Sequence, residues 1–356
     1  MALTAWLAGC ISTPSPVPPS VGPDQARAVI GAALPRSVHD RAGWTDDLYE
    51  AFALQSIDPT QENICAAVAV IDQESNFRVD PVVPGLAAIA WREIDSRAER
   101  AGIPRLVVYA ALQLRSPNGM TYRQRIDAAK TEKDLSDIFE DFIGAVPMGH
   151  TLFAEHDPVR TRGPMQVNVA FAEQYAAARP YPYPVKVSIP EEVFSRRGSL
   201  YFGVAHLLAY QPPYDQYLYR FADFNAGQFA SRNAAFQRAL SRVSGFHVLA
   251  DGALLPHADD KTPGETELAA HAVKVRLGLD DGSIHDALAQ GHKSSFEHTA
   301  LYQGVFAVAD KLQSHAARAV VPNIVLRGPK LSKNLSTEWY ARRVNEGFAR
   351  CLQKLR

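Results

Sequence analysis

Residues 58–77 read DPTQENICAAVAVIDQESNF, the pattern of a buried helix that ends at an acidic group. Asp58 is expected to be the N-cap, with Pro59 in the first turn and Gln61 placed to complete a capping box. Apolar residues then recur at helical spacing, at Ile64, Ala67, Val68 and Ile71. The stretch therefore predicts a core helix with Glu74 at its carboxyl end.

Two further segments follow in chain order, residues 163–168 (GPMQVN) and 224–227 (FNAG). With residues 74–77 (ESNF) they form an ordered set that resembles the motifs of the soluble lytic transglycosylases, relatives of goose-type lysozyme. The resemblance implies an all-α, lysozyme-like fold. It also implies an enzyme that cleaves the MurNAc-β-1,4-GlcNAc bond of peptidoglycan and forms a 1,6-anhydro product.

The same resemblance assigns roles to individual residues. Glu74 would be the single general acid and base, and neither a metal nor another cofactor is implied. The residues expected to line the substrate cleft are Ser75, Gly163, Met165, Gln166, Asn168, Phe224 and Asn225. Gln166 and Asn168 offer amide donors and acceptors to sugar groups, while Met165 is expected to pack beneath its turn.

Elementary electrostatics also favours Glu74 as an acid. The carboxyl end of a helix carries the negative pole of its dipole, and apolar neighbours such as Ile71 and Phe77 would desolvate the carboxyl group. Both effects raise a pKa toward neutrality. The alternative is a solvated glutamate at a fraying helix end, and Asp72 is expected to be a surface or capping group.

The second and third motifs each have a purely structural alternative. Residues 163–168 could be a turn that starts a helix at position 169, and residues 224–227 could be a helix C-cap. Phe224 stands where the resembling families have a tyrosine, for which Tyr217 or Tyr219 could substitute. Leu is likewise replaced by Pro164.

Two other functions stay open at this point. A non-catalytic adaptor that binds peptidoglycan through the same fold is the main alternative. A water-using hydrolase would need a second carboxylate opposite Glu74, for which Asp80, Glu155 and Asp223 are candidates.

The N-terminus predicts a lipid anchor. Residues 7–10 (LAGC) have the form of a lipobox, so residues 1–9 would be a truncated signal, Cys10 the lipidated residue and residues 10–37 a Pro- and Ser-rich tether. The N-terminus resembles those of Gram-negative lipoproteins, in which the absence of Asp after the cysteine implies sorting to the outer membrane. Because Ile11 follows Cys10, the resemblance implies a location at the periplasmic face of the outer membrane. The alternative is a short apolar start, because no Lys or Arg precedes Cys10.

The charge composition gives no support for a nucleic-acid partner. A formal net charge of −1 and a pI near 6.8 give no basic footprint for nucleic acid. The expected partners are therefore peptidoglycan strands and, through the anchor, a membrane. Cys65 and Cys351 could form a disulfide in an oxidising compartment or remain two buried thiols.

Period-3.6 patterns dominate the chain and predict an all-α protein. The lysozyme-like domain is expected at 38–245, with a helical insertion at about 85–160, and a helical extension at 246–356. Beyond the first helix, the predicted helices lie at 87–100, 104–115, 132–143 with Thr131 as cap, 169–178, 188–210, 214–223, 229–243, 265–277, 283–290, 296–314 and 336–353.

Overall fold

The computed structural model describes residues 21–145, 159–256, 262–312, 315–326 and 335–356. These ranges are predominantly helical, as the periodicity predicts. Two antiparallel pairs of two-residue strands join them: β1 (Thr161–Arg162) with β2 (Val167–Asn168), and β3 (Val325–Leu326) with β4 (Leu335–Ser336). Within the described ranges, none of the helices combines the length and the apolar character that a membrane span requires. Cys10 and Glu155 lie outside them.

The helices are numbered in chain order. They are α1 (Pro23–Ala33), α2 (Arg41–Leu54), α3 (Gln61–Ser75), α4 (Leu86–Arg100), α5 (Arg105–Ala111), α6 (Tyr122–Ala128), α7 (Glu132–Gly144), α8 (Val169–Ala178), α9 (Ile189–Glu192), α10 (Arg196–Leu208), α11 (Tyr217–Ala226), α12 (Ala230–Ser244), α13 (Glu265–Leu277), α14 (Asp281–Leu288), α15 (Ala300–Leu312) and α16 (Thr337–Leu355), with a 3-10 turn at Ser294–His298 before α15.

Helix α3 is the centre of the first hydrophobic core, and all residues from 64 to 71 are buried. It begins two residues later than expected, because Thr60 rather than Asp58 is the N-cap. The Thr60 hydroxyl accepts from the Asn63 backbone N–H at 3.1 Å. The Asp58 carbonyl instead accepts from the Asn63 side chain at 2.8 Å. Helices α1, α2, α8, α10, α11 and α16 contribute the rest of this core.

The C-terminal helix α16 lies antiparallel to α3. A disulfide joins Cys65 to Cys351 with their Cα atoms 5.5 Å apart, and Tyr340, Ala341 and Val344 are buried in the first core. The sequence suggested one helical extension at 246–356. This is wrong, because α16 belongs to the first core. The end of the chain returns to the first core because its apolar stripe needs α3 as a partner.

The insertion between the first two motifs has a small core of its own, formed by Ala90, Leu112, Tyr122, Ile126, Ala129 and Ile138. Thr131 caps α7, as predicted, and the structure adds that it does so in a capping box with Asp134. Helix α5 is shorter than the predicted 104–115, and α6 was not predicted. Lys133 at the start of α7 pairs with Glu191 of α9 at 2.8 Å, so the insertion is held against the main body.

A second core lies in the C-terminal part and is built from α12 to α15. Its buried residues begin at Ala234, so the expected boundary at 245 separates α12 from the helices it packs against. Arg232 is fully buried there, where it donates to the carbonyls of Gly291 and Lys293 at 2.6 and 2.9 Å and pairs with Glu297 at 3.2 Å. These bonds satisfy the guanidinium that the fold has removed from water.

Two further predictions need correction. The tether predicted at 10–37 contains helix α1, which begins after Gly22 and buries Ala26 and Ile30. The long helix predicted at 188–210 is interrupted between α9 and α10. Ser195 caps α10 by accepting from the Gly198 N–H at 2.9 Å, which starts a new helix.

Candidate functional site

Glu74 lies in the last turn of α3, half-buried. The helix ends because Asn76 adopts the left-handed conformation (φ 49°), and Phe77 follows with φ 58°. A bulky residue at positive φ is unusual and is tolerated only where its surroundings hold it. Here the Phe77 ring packs edge-on against Trp44 at 5.2 Å. The turn after Glu74 is therefore fixed by the core.

The Glu74 carboxylate receives a short hydrogen bond from a residue near the other end of the chain. The Tyr340 hydroxyl donates to Glu74 Oε1 at 2.6 Å, and Tyr340 is 5% exposed. Burial raises the pKa of Glu74 from its ordinary 4.5 to about 7, and the bond from Tyr340 lowers it in part. Burial and the adjacent carboxylate also hold the pKa of Tyr340 well above its usual range, so the phenol remains a donor. The pair can hold or release a proton near neutral pH.

Helix α16, which carries Tyr340, also contacts the third motif. Thr337, in the first turn of α16, donates its hydroxyl to Asn225 Oδ1 at 2.8 Å and is fully buried. Thr337 and Tyr340 are three residues apart and so lie on one side of the helix. The first turn of α16 thus links Asn225 to Glu74.

The contact between Tyr340 and Glu74 was not predicted, although the sequence contains information about it. In antiparallel helices, paired positions have a nearly constant sum of residue numbers. The disulfide gives this register, since Cys65 pairs with Cys351 and Gly347 lies beside Ala69. Glu74 lies nine residues after Cys65, so its partner on α16 is expected about nine residues before Cys351. That position is within one helical turn of Tyr340. Because the disulfide was only one of two alternatives, the register could not be used.

In the second motif, Gly163 and Met165 serve packing. Gly163 has φ 70°, and a Cβ there would lie 2.1 Å from the Val193 carbonyl oxygen. The glycine is thus required by the close approach of α9 and α10, rather than by contact with a sugar, as the resemblance had implied. Met165 is fully buried with its sulfur against Gly203, and its N–H donates to Ser199 Oγ at 3.0 Å.

The polar side chains of the second motif are engaged within the protein. Gln166 Nε2 donates to Glu132 Oε2 of the insertion at 3.0 Å, and its Oε1 accepts from the Thr161 hydroxyl at 2.8 Å. Asn168 caps α8 by accepting from the Phe171 N–H at 3.2 Å. The turn that starts a helix at 169 is therefore real, and Gln166 connects it to the insertion.

The third motif, residues 224–227, forms the C-terminal cap of α11, and Phe224 within it is buried. Gly227 ends α11 with φ 110°, and its N–H donates to the Asp223 carbonyl at 2.7 Å. Phe224 is 8% exposed and its ring packs against His206 at 5.1 Å. Tyr217, a suggested substitute for the tyrosine of the resembling families, donates instead to Asn63 Oδ1 at 2.7 Å. The other candidate, Tyr219, packs its ring against Tyr214 at 5.4 Å.

Ser75 and the two described candidates for a second carboxylate have structural contacts. The Ser75 hydroxyl is buried and donates to the Ile71 carbonyl at 3.1 Å, within α3. Asp223 is fully buried and accepts from Tyr210, Tyr214 and the Ser231 N–H. Asp80 lies near Thr131 at the start of α7 and keeps much of its surface in contact with solvent. Partial desolvation and the nearby Asp134 and Asp137 raise its pKa, although a hydrogen bond from Thr131 opposes this. Among the described residues, no group of three His, Cys, Asp or Glu is arranged to hold a metal ion.

With this geometry in place, comparison with known proteins identifies the family. Residues 37–354 match the family described as protein of unknown function (DUF1615). The chain belongs to this family. It is also 48% identical over 350 residues to the uncharacterized protein YaiW of Escherichia coli (strain K12), and the match covers 98% of this chain and 95% of the relative. No solved structure matches the chain.

Proposed function

We propose that the protein is a lytic transglycosylase that cleaves the MurNAc-β-1,4-GlcNAc bond of peptidoglycan with Glu74 as its general acid and base. The observation that carries this proposal is the Glu74–Tyr340 pair at the end of α3. A carboxyl group whose pKa is raised to about 7 is half protonated at neutral pH, as an acid that must later act as a base requires.

The reaction needs two proton transfers at one carboxyl group. Protonated Glu74 gives its proton to the bridging oxygen as the bond from that oxygen to C1 of the muramic acid breaks. The N-acetyl group of the same sugar stabilises the cationic centre. The Glu74 carboxylate then takes the proton of the sugar's 6-hydroxyl while the oxygen of that hydroxyl bonds to C1. The 1,6-anhydro ring forms, and the protonated Glu74 is regenerated. No water is consumed, and no second protein carboxylate is needed.

Tyr340 would be a positioning residue in this scheme. Its bond to Oε1 fixes the orientation of the carboxyl group and leaves Oε2 for the substrate. The Thr337–Asn225 bond sets the position of α16 and therefore of the phenol. The C-terminal helix would thus take the place of the tyrosine that the resembling families carry in their third motif.

A second candidate function is a peptidoglycan-binding adaptor that has lost catalysis. The contacts that favour it are those of the second motif, because Gln166 is bound to Glu132 and Asn168 caps a helix. Groups that would bind sugar in an active enzyme are thereby committed to the fold.

Digestion of purified sacculi distinguishes these functions. The non-lipidated protein is incubated with sacculi, and the products are identified by mass spectrometry. Anhydro-muropeptides support the transglycosylase. New reducing ends would indicate a hydrolase, and intact sacculi that retain bound protein would indicate the adaptor.

We also propose that lipidation at Cys10 anchors the protein at the periplasmic face of the outer membrane. The lipobox at residues 7–10 supports this, and Cys10 lies outside the described residues. Cell fractionation tests it: Cys10→Ser should move the protein to the soluble periplasm. Membrane retention of that variant in high salt would refute the anchor.

A further inference from the structure

A pocket of about 380 Å³ lies between the third motif and the second core. One wall is formed by residues 226–228, which follow Asn225 directly, and by Ala230 at the start of α12. The opposite wall comes from the loop that follows α12 and from the end of α14. This second wall lies beyond residue 245, where the resemblance to the lytic transglycosylases ends. The volume is in the range of pockets that bind small ligands.

The two walls are fixed to each other by buried contacts. Asn233 Nδ2 donates to the carbonyl oxygens of Gly252 at 3.1 Å and Gly291 at 3.0 Å. Arg232 Nη2 donates to the same Gly291 oxygen at 2.6 Å. Gly252 has φ 84°, and a Cβ there would lie 2.8 Å from the Ala230 carbonyl oxygen. The pocket is therefore preformed, which reduces the entropy that a ligand loses on binding.

The lining favours an uncharged ligand. In the part of the chain that the structure describes, none of the lining residues is Asp, Glu, Lys or Arg. A peptide with free carboxylates would lose hydration here without gaining a partner of opposite charge. Leu254 and Leu288 are 4% and 2% exposed and contribute apolar surface to the pocket. A ligand that combines apolar and neutral polar groups suits this lining.

Two lining side chains offer polar groups to such a ligand. Gln228 Nε2 donates to the His206 carbonyl oxygen at 2.8 Å, which determines the orientation of the amide. No residue within the described ranges donates to Gln228 Oε1, and none of them forms a hydrogen bond with the exposed His292 ring. An acetamido group has a methyl for the apolar surface, an N–H for Gln228 Oε1 and a carbonyl for the His292 ring.

We infer that this pocket binds an N-acetylated sugar unit, so that the C-terminal region supplies a second sugar site beside Glu74. The third motif connects the two sites, because Asn225 accepts from Thr337 in the first turn of α16 and is followed in the chain by the pocket wall. The unit bound here is a neighbour, along the same glycan strand, of the unit at Glu74. The glycan strand as ligand rests on the proposed function, whereas binding at the pocket does not require catalysis.

Calorimetric titration of the full chain tests the inference. The chain carries Glu74→Gln, so that binding is measured without cleavage. The ligands are a tetramer of β-1,4-linked N-acetylglucosamine and the same tetramer after removal of its acetyl groups. We expect the acetylated tetramer to bind at least about tenfold more tightly, because only it carries the acetamido groups. Amide hydrogen exchange should slow at residues 226–228 and 288–292 when it binds.

The chain offers a pair of matched substitutions. Ala289 is exposed and lines the pocket, so Ala289→Phe should fill part of it and weaken binding of the acetylated tetramer about tenfold. Ala272 is exposed on α13 away from the pocket, and Ala272→Phe should bind as the parent does. His292→Ala should also weaken binding, because it removes a hydrogen-bonding group from the lining.

Three results would overturn the inference: the acetylated tetramer does not bind, both tetramers bind equally, or Ala289→Phe binds as tightly as Ala272→Phe. Digestion of sacculi separates this question from catalysis. Intact sacculi together with acetyl-dependent binding that Ala289→Phe weakens would remove the transglycosylase and support the pocket. Release of anhydro-muropeptides by Ala289→Phe with an unchanged KM would support the transglycosylase and remove the pocket.

Discussion

Glu74→Gln should stabilise the protein at high pH while leaving its stability at low pH nearly unchanged. Burial raises the pKa of Glu74 to about 7 in the folded protein, whereas an unfolded glutamate titrates near its ordinary value of 4.5. Between these two values the folded state binds more protons than the unfolded state. Stability therefore falls as the pH rises through this window, and the full cost is present above pH 7.

The size of the effect follows from the shift. A change from 4.5 to about 7 corresponds to about 3 kcal/mol of unfolding free energy, at roughly 1.4 kcal/mol per unit. Glutamine carries no charge at any pH in this range, and its side-chain oxygen can still accept from Tyr340. The variant should thus equal the wild type at pH 4 and exceed it by about 3 kcal/mol at pH 8.

Urea unfolding followed by circular dichroism at the two pH values measures this difference. Asp72→Asn, at an exposed position of the same helix, controls for the exchange of a carboxylate for an amide. Equal stability of wild type and Glu74→Gln at pH 8 would show that the carboxylate is well solvated. The electrostatic argument for Glu74 as an acid would then fail.

Other substitutions test the remaining contacts. Tyr340→Phe removes a hydrogen bond to a charged acceptor, which contributes about 1.5–3 kcal/mol. The pKa of Glu74 should rise further, so the proposed glycan cleavage should persist to higher pH. An unshifted pH profile would show that the Tyr340 hydroxyl does not tune Glu74. Cys351→Ser opens the disulfide and should lower the unfolding free energy by about 2–5 kcal/mol, measured by urea unfolding. Gly163→Ala places a Cβ 2.1 Å from the Val193 carbonyl oxygen and should cost about 3 kcal/mol in the same assay; a change below about 1 kcal/mol would mean that this turn is adaptable.

Local signals in the sequence predicted much of the helical structure. Thr131 begins α7 with a capping box, and α8 has the predicted bounds of 169–178, because these boundaries depend on neighbouring residues alone. The start of α3 was misplaced, since Asp58 and Thr60 both have cap chemistry and only the chain path selects between them. The break before α10 depends on Ser195, whose capping role is hard to see inside an apolar run.

The candidate site was only partly predictable for a related reason. Glu74 is marked by its own helix, but its partner Tyr340 is 266 residues away and reaches it through the packing of α16 on α3. The roles of Gln166 and Gly163 likewise depend on Glu132 and Val193, which the sequence does not place nearby. Long-range packing therefore decides which motif residues are engaged in contacts that hold the fold together.

The most direct test of Glu74 as the general acid and base is the rate at which Glu74→Gln digests purified sacculi, compared with wild type and Asp72→Asn. General acid–base catalysis supplies about a hundredfold to ten-thousandfold in rate. We predict that Glu74→Gln releases anhydro-muropeptides at least about a hundredfold more slowly, while Asp72→Asn stays within about twofold of the wild type. Release of anhydro-muropeptides by Glu74→Gln at the wild-type rate would contradict the account.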